Sequence, residues 1–350
     1  MPVVSVVIPS YNHAAFIAEA VNSVLTQSLR DLELIVVDDG STDASLNVLA
    51  GFSDPRVKII SQANQGAHAA INRGLREASG KYLAILNSDD VYYPRRLEKA
   101  IKALEADPQV GLVGSYIEIV DTEGKTLGVK HSYQNCSPWL LETPEESFRA
   151  VDDLRAALLT ENYWATTSNY VFPRTWFERI GEFLPLRYAH DWDFALRMAK
   201  VARMVMLPEV LMRYRVHEKN TIRENQAAMI FEICWCLAVH LPQSLEGDGV
   251  LNRYPQGEQV SRLLHSIYTY GLEQVLSVML LQRLHENPEM ALELLEPGNA
   301  VRSGYMDFII RKTVLEENSA TQQSAPASVS PLKKGTAIRR ALSRLKAFLR

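Results

Sequence analysis

The sequence predicts an α/β protein, a doubly wound and mainly parallel sheet followed by a helical C-terminal extension. Three observations predict it. Through the first third of the chain, short apolar runs alternate with segments whose apolar residues recur at helical spacing, as in βαβ units with strands buried on both faces. Four of those runs end in polar clusters, and in such sheets the carboxyl edge of the strands is the ligand crevice. Beyond residue 220 the strand pattern gives way to a mostly helical one that lasts to about residue 317.

Val3 to Ile8 is a continuous apolar run and predicts the first strand. Phe16, Ile17, Ala20, Val21, Val24 and Leu25 then repeat at helical spacing. Leu34 to Val37 is a second strand, followed by a helix over 43–50. Val57 to Ile60 is a third, followed by a helix over 66–78. Tyr82 to Leu86 is a fourth, and Pro94 opens a helix at its N1 position that runs to about Ala106. After Val113 the pattern loosens. Tyr116 to Val120 and Thr126 to Val129 read as a hairpin around Glu123-Gly124, residues 145–159 as a helix and Asn169 to Phe172 as a strand. Asp191 to Val201 reads as a helix and Leu211 to Val216 as a last strand. The extension, 221–317, breaks near 242–257 and 297–304. Four segments follow: a domain over 1–220, the extension over 221–317, a polar Ser/Ala/Pro linker over 318–331 and a terminal helix over 332–350.

Composition narrows the function class. Hydrophobic residues at 47% and charged residues at 22% fit a soluble globular protein. Three cysteines, Cys136, Cys234 and Cys236, make no disulfide framework and no zinc spacing, which fits a cytoplasmic protein. No signal peptide opens the chain, and no apolar run reaches the roughly 20 residues of a membrane span. The longest, Ala227 to Leu241, is interrupted by Glu232 and His240.

The net charge of −4 hides an asymmetry. Residues 319–350 hold seven Lys or Arg and no acid, leaving 30 basic against 41 acidic residues and a net charge of −11 on the rest. In the tail, Ile338, Leu342, Leu345 and Leu349 share a helix face, with Arg339, Arg340, Arg344 and Lys346 around the others. Such a basic amphipathic helix predicts peripheral binding to an anionic membrane surface, the inner face of the cytoplasmic membrane. Docking on the protein's own acidic body is the alternative. An acidic body without a recognition motif argues against nucleic acid.

The four strand-end clusters are Pro9-Ser10-Tyr11-Asn12, Asp38-Asp39-Gly40-Ser41-Thr42-Asp43, Asn64-Gln65-Gly66 and Asn87-Ser88-Asp89-Asp90. One strand-end Asp or Ser is readily a helix cap, as Ser41, Asp43 or the Asp89-Asp90 pair could be. Four clusters on one edge point instead to a ligand. The adjacent carboxylates of Asp89 and Asp90 repel each other unless a cation or hydroxyls relieve them.

The blocks "VSVVIPSYN", "LIVVDDGSTD", "NQG", "LNSDD" and "YAHDWDFALRMA" resemble, in order and spacing, those of family 2 glycosyltransferases, over roughly residues 3–220. The resemblance implies the GT-A fold and an inverting, non-processive, metal-dependent transfer of one sugar. The donor would be a nucleotide-sugar, UDP-linked first and dTDP-linked next, and the acceptor a glycan or lipid-linked hydroxyl in cell-surface polysaccharide synthesis. It places Pro9, Tyr11, Asn12, Asp39, Asn64 and Gly66 against the nucleotide, with Asp89 on its ribose. It gives Asp90 the Mg²⁺ or Mn²⁺ ion, with His217 as a further metal ligand or phosphate contact and Arg215 as a phosphate clamp. Asp191 matches the general base, with His190 where the family has Glu. Trp164, Asn169, Trp176, His190 and Trp192 fall where the acceptor pocket is shaped. Asn87 stands where many members have Asp.

The Gln-x-x-Arg-Trp motif and membrane spans of processive synthases are absent from the sequence. A sugar nucleotidyltransferase would need a Gly-rich basic loop, which "PSYNHAAF" is not. The remaining alternative is a catalytically impaired nucleotide-sugar-binding or scaffold protein. The apolar faces of the extension offer a surface for a homodimer or a partner enzyme.

Overall fold

The computed structural model describes residues 1–131, 158, 162–218, 220, 221, 224–244, 280 and 282–322. Its strands form one sheet in the order β3-β2-β1-β4-β8-β6-β9-β5, with β7 hydrogen-bonded to β6. The first half follows the βαβ expectation. β1 (Val4–Ser10), α1 (Ile17–Leu25), β2 (Leu32–Asp38), α2 (Ser45–Leu49), β3 (Val57–Ser61), α3 (Ala67–Glu77) and β4 (Tyr82–Ile85) alternate along the chain. β1 is parallel to both β2 and β4, and β2 is parallel to β3.

Side chains on β1 alternate between two cores because successive strand residues face opposite sides. Val6 and Ile8 join α1 on one face, and Val7 joins α3 on the other. Gly74 is what brings α3 close: a Cβ there would stand 2.3 Å from Val7 Cγ1. The α3 face also carries the extension, since Phe231, Trp235, Leu294 and Ile309 belong to the same core as Val7 and Ile85.

The second half departs from the expected parallel sheet. β5 (Val91–Tyr92), α4 (Arg96–Ala106), β6 (Val110–Val120), β7 (Thr126–Lys130), β8 (Val171–Pro173), α5 (Arg174–Ile180), α6 (His190–Val201) and β9 (Arg203–Arg215) follow in order. β8 is antiparallel to β4 and β6, β7 to β6, and β5 to β9, while β6 and β9 are parallel. The sheet is therefore mixed beyond β4.

Several boundaries move for identifiable reasons. Pro94 is not at N1, because α4 starts at Arg96 with Arg95 as its N-cap. The residues before it are drawn into β5, which pairs Val91 with Arg213. β6 begins at Val110, earlier than the hairpin read from the sequence. β9 is thirteen residues long instead of starting at Leu211. Its register shifts between the Ser115 and Tyr116 pairings, and Pro208 lies in that skipped stretch. A proline cannot donate to the ladder, so it sits at such an irregularity and masks the strand in sequence. Thr167–Asn169 is a turn of 3₁₀ helix, and strand β8 starts only at Val171.

The extension contributes α7 (Gln226–Ser244), α8 (Met290–Glu293) and α9 (Ala300–Gln322). The second break falls between α8 and α9, so Gly304 lies inside a helix, and α9 runs into the segment read as linker. No helix of the described residues is long and apolar enough to cross a membrane. The helix read over 145–159, all but Leu158, and the tail over 332–350 lie outside the described residues, as does Cys136. Cys234 and Cys236 are buried and not joined in a disulfide.

Candidate active site

A cleft of about 580 Å³ opens beyond the carboxyl ends of β1, β2 and β4. Pro9, Ser10 and Tyr11 enter it from β1, and the Tyr11 ring is 44% exposed, free to stack on a planar ligand. Asp39 follows β2. Its Oδ1 accepts from Gln62 Nε2 at 2.8 Å and Gln65 N at 2.9 Å, and its Oδ2 from Gly66 N at 2.8 Å. The turns that make this possible need glycine: Gly40 has φ 76° and Gly66 φ 93°, and a Cβ on Gly40 would stand 2.9 Å from Asn64 N. Asn64 and Gly66 line the cleft beside Asp39.

Asn12 does not. It adopts φ 54°, and its Oδ1 accepts from Thr42 N at 2.7 Å and Asp43 N at 3.2 Å, stapling the loop after β1 to the loop after β2. The expected nucleotide contact is replaced by this staple, because the carbonyl already serves two backbone donors.

The two adjacent carboxylates are placed differently from the expectation. Asp89, expected on a ribose, has Oδ2 3.0 Å from His217 Nε2. His13, Asp89 and His217 each bring a ligand atom to within 4.8 Å of the others, so the three can converge on one ion. Asp90, expected to hold the metal, is 1% exposed and absent from the cleft wall. Its oxygens accept from Ser168 Oγ at 2.5 Å and Arg215 N at 3.0 Å. Burial and the neighbouring Asp89 charge push its carboxyl well above the usual range. Burial also works against the charge of Asp89, but the hydrogen bond from His217 and the field of His13 outweigh it and hold Asp89 low.

His13 was legible only as the residue after "PSYN". Its Nδ1 lies 2.7 Å from Ser88 Oγ, and its ring meets His217 edge-on at 5.5 Å. Phe16 stacks on His217 at 5.3 Å, fixing that ring from behind. A donor set of two imidazoles and one carboxylate fits a first-row ion such as Mn²⁺ better than Mg²⁺, which prefers oxygen.

Arg215 is not placed as a phosphate clamp. It is 4% exposed and donates to Asp89 O, Asp121 O, Thr122 O and Glu19 Oε2 at 2.6–3.2 Å, so its guanidinium is consumed inside the fold. Asn87 lines the cleft, and its amide both donates to Thr166 Oγ1 and accepts from Thr167 Oγ1, each at 3.0 Å. A carboxylate could not donate, which accounts for Asn at this position.

On the opposite wall, α6 starts at His190 and presents Asp191 in its first turn. Asp191 Oδ1 accepts from Trp192 N at 2.7 Å and Oδ2 from Asn162 Nδ2 at 3.0 Å. Burial raises its carboxyl to about 6, against 3.8 ordinarily. His190 lines the cleft half-buried, and burial lowers its basicity. Among the other residues expected in an acceptor pocket, Trp164 and Asn169 are fully buried. Trp164 packs on Gly114, where a Cβ would be 2.4 Å from its ring, and Asn169 accepts from Ser115 N and Arg96 Nη2. Trp192 donates from Nε1 to Leu158 O at 2.7 Å, and Trp176 packs at the edge of the core. None of the four lines the cleft.

The cleft is also lined by residues to which the sequence assigned no role. Arg187, Tyr188, Asn220, Thr221 and Glu224 line it, and Arg187 Nε donates to Glu224 Oε2 at 2.7 Å. Among the described residues, the wall holds four carboxylates, Asp39, Asp89, Asp191 and Glu224, and the guanidinium of Arg187, which is paired with Glu224.

The model of the family described as glycosyl transferase family 2 matches residues 5–180. The chain belongs to this family. Among curated family relatives, an uncharacterized glycosyltransferase of Nostoc is 30% identical over 225 residues, 62% of this chain and 66% of the Nostoc protein. The match thus spans just under two thirds of that relative. Chondroitin synthase of Escherichia coli is 29% identical over 223 residues, 63% of this chain and 30% of the synthase. Of solved structures, S. aureus TarS 1–349 in complex with UDP-GlcNAc is similar with a TM-score of 0.52 at 16% identity, over 86% of this chain and 92% of that one. The mannosyltransferase PcManGT of Pyrobaculum calidifontis, in complex with GDP-Man and Mn²⁺, reaches 0.52 at 21% identity, over 89% of this chain and 86% of that one. These likenesses show that this glycosyltransferase has the GT-A fold.

Proposed function

We propose that this protein transfers a single sugar from a nucleotide-sugar donor to an acceptor hydroxyl, with inversion at the anomeric carbon. The observation that carries the reading is one cleft that sets Asp191, a buried carboxylate with a pKa of about 6, in one wall with the Asp39 turn, His13 and Asp89, with His217 behind Asp89. A base must be ionised yet avid for a proton near neutral pH, and burial gives Asp191 that balance. Asp191 takes the acceptor proton as the hydroxyl attacks, and His190 beside it orients the acceptor. Pro9, Tyr11, Asp39, Asn64 and Gly66 hold the base and ribose. UDP-sugars are the favoured donors, with dTDP-sugars next, because a carboxylate fixed like Asp39 accepts a pyrimidine imide N–H.

Asp89, His217 and His13 would hold the divalent ion. Bound there, it supplies positive charge for the leaving diphosphate. The four carboxylates among the described wall residues disfavour a bare diphosphate there, and a bound cation would offset them. The glycan or lipid-linked nature of the acceptor, a role in surface polysaccharide synthesis and a membrane station for the basic tail belong to the same reading. The charge asymmetry of the sequence supports the last of these.

Calorimetric titration of UDP, dTDP and GDP, each with and without Mn²⁺, tests it. Metal-dependent binding of one nucleotide is expected. Binding equally tight without metal would overturn the cluster's role, and no binding at all would overturn the donor reading.

A further inference from the structure

Glu232 lies on α7, in the extension beyond the part of the chain matched by the family model, and is 1% exposed. Its carboxylate accepts three successive backbone N–H groups: Arg187 at 3.1 Å, Tyr188 at 2.7 Å and Ala189 at 3.2 Å. Arg302 of α9 approaches the same carboxylate at 3.5 Å. These three amides lead directly into α6, whose N-cap is Ala189 and has no side-chain cap. Ala189 N belongs to the helix start and the amides of Arg187 and Tyr188 to the loop before it; none has a partner inside the helix, so each needs an acceptor from elsewhere. A capping side chain would ordinarily provide it. Here another helix does, and its negative charge sits where a helix N-terminus favours it.

The loop held in this way carries the functional wall. Arg187 and Tyr188 line the cleft, and so do His190 and Asp191 immediately after it. Cys236, one turn along α7, places its Sγ 3.8 Å from Ala189 O, so α7 grips the loop at both donor and acceptor groups.

We infer that Glu232 is a positioning residue, the device by which the C-terminal extension fixes the 187–189 loop and so sets Asp191 at the reacting hydroxyl. The inference rests on the reading of Asp191 as the base. Glu232 itself touches neither cleft nor substrate. Truncation of its carboxylate frees three amides, neutralisation to Gln leaves one oxygen for amides that now occupy two, and a small displacement of a catalytic group costs rate far more than binding.

The test uses the full-length chain as Glu232→Gln and, as a milder variant, Glu232→Asp. Hydrogen exchange read by mass spectrometry should show peptides spanning 186–192 exchanging at least about tenfold faster in Glu232→Gln, while those of β1, β2 and β4 are unchanged. Affinity for UDP with Mn²⁺ should stay within about twofold, while turnover of the wild-type donor falls at least about tenfold and is partly restored in Glu232→Asp. Unchanged exchange at 186–192, faster exchange spread over every peptide, or turnover equal to wild type would each overturn the inference. A wild type that turns over no nucleotide-sugar would fail the proposed function instead, and the exchange measurement would still decide whether Glu232 holds the loop.

Discussion

Oδ2 of Asp89 and Nε2 of His217 lie 3.0 Å apart across 128 residues of sequence, joining the end of β4 to the end of β9. Neither residue is a convincing ligand alone. Together with His13 they form a cluster that could hold a metal ion, and each should matter to the metal separately. Asp89→Asn and His217→Ala are expected to weaken Mn²⁺ binding in the presence of UDP by at least about tenfold, and His13→Ala by a smaller factor. Electron paramagnetic resonance of free Mn²⁺ measures this directly. Unchanged affinity in Asp89→Asn would remove it from the site.

The pKa of about 6 at Asp191 sets a pH dependence for the reaction. The base works only when ionised, so kcat should fall tenfold per pH unit below about 6 and level off above it. Asp191→Asn should abolish transfer while leaving nucleotide affinity near normal. Asn162→Ala removes a donor that favours the ionised form and should move the acidic limb of the profile to higher pH.

The same carboxylate should be a stability defect. Folding raises its pKa from 3.8 to about 6, so between those values the folded protein keeps a proton that the unfolded chain has lost. Stability from this group therefore falls as pH rises through that window, and at pH 8 the buried charge costs about 3 kcal/mol. Asp191→Asn is expected to unfold at higher urea concentration than the wild type at pH 8, with the gain shrinking toward pH 4. A variant less stable than wild type at pH 8 would contradict the account.

Arg215 should behave as a structural residue. Four acceptors converge on its guanidinium, and a lysine ammonium cannot reach them together. Arg215→Lys is expected to cost about 3 kcal/mol of stability in denaturant unfolding. A phosphate clamp would instead show normal stability and a selective loss of UDP relative to uridine.

Removing 332–350 tests the tail. Full-length protein should co-sediment with anionic vesicles and release in high salt, and a 1–331 truncation should not. Equal binding by both would assign the attraction to another surface.

The wall built from the ends of β1, β2 and β4 was legible because its information is local. Each strand runs directly into its own polar cluster, and β1 to β4 pair in an order that βαβ rules anticipate. The other wall depends on long-range pairing. Asp89 and Asp90 are neighbours with opposite fates, and only the Ser168 and Arg215 contacts decide which one turns inward. Trp164 and Asn169 have residue types suited to a sugar pocket, yet Gly114 and Arg96 draw them into the core. One signal was available for the extension. Glu232 and His240 interrupt the apolar run of α7, and both are buried against the loop and helix that carry Asp191: Glu232 on residues 187–189, His240 on Asp193 at 2.9 Å.

The division of the cleft into a local wall and a distant wall also has a consequence during translation. The Asp39 and Gly66 cradle is complete in sequence once β4 has been made, whereas Asp191, His217 and Glu232 all follow. At roughly 5–20 residues per second, about 6–25 s separate the emergence of Asp90 from that of His217. A nascent chain therefore carries the Asp39 and Gly66 turns for that interval before Asp191 and His217, and the two walls of the cleft cannot meet until β9 has been made.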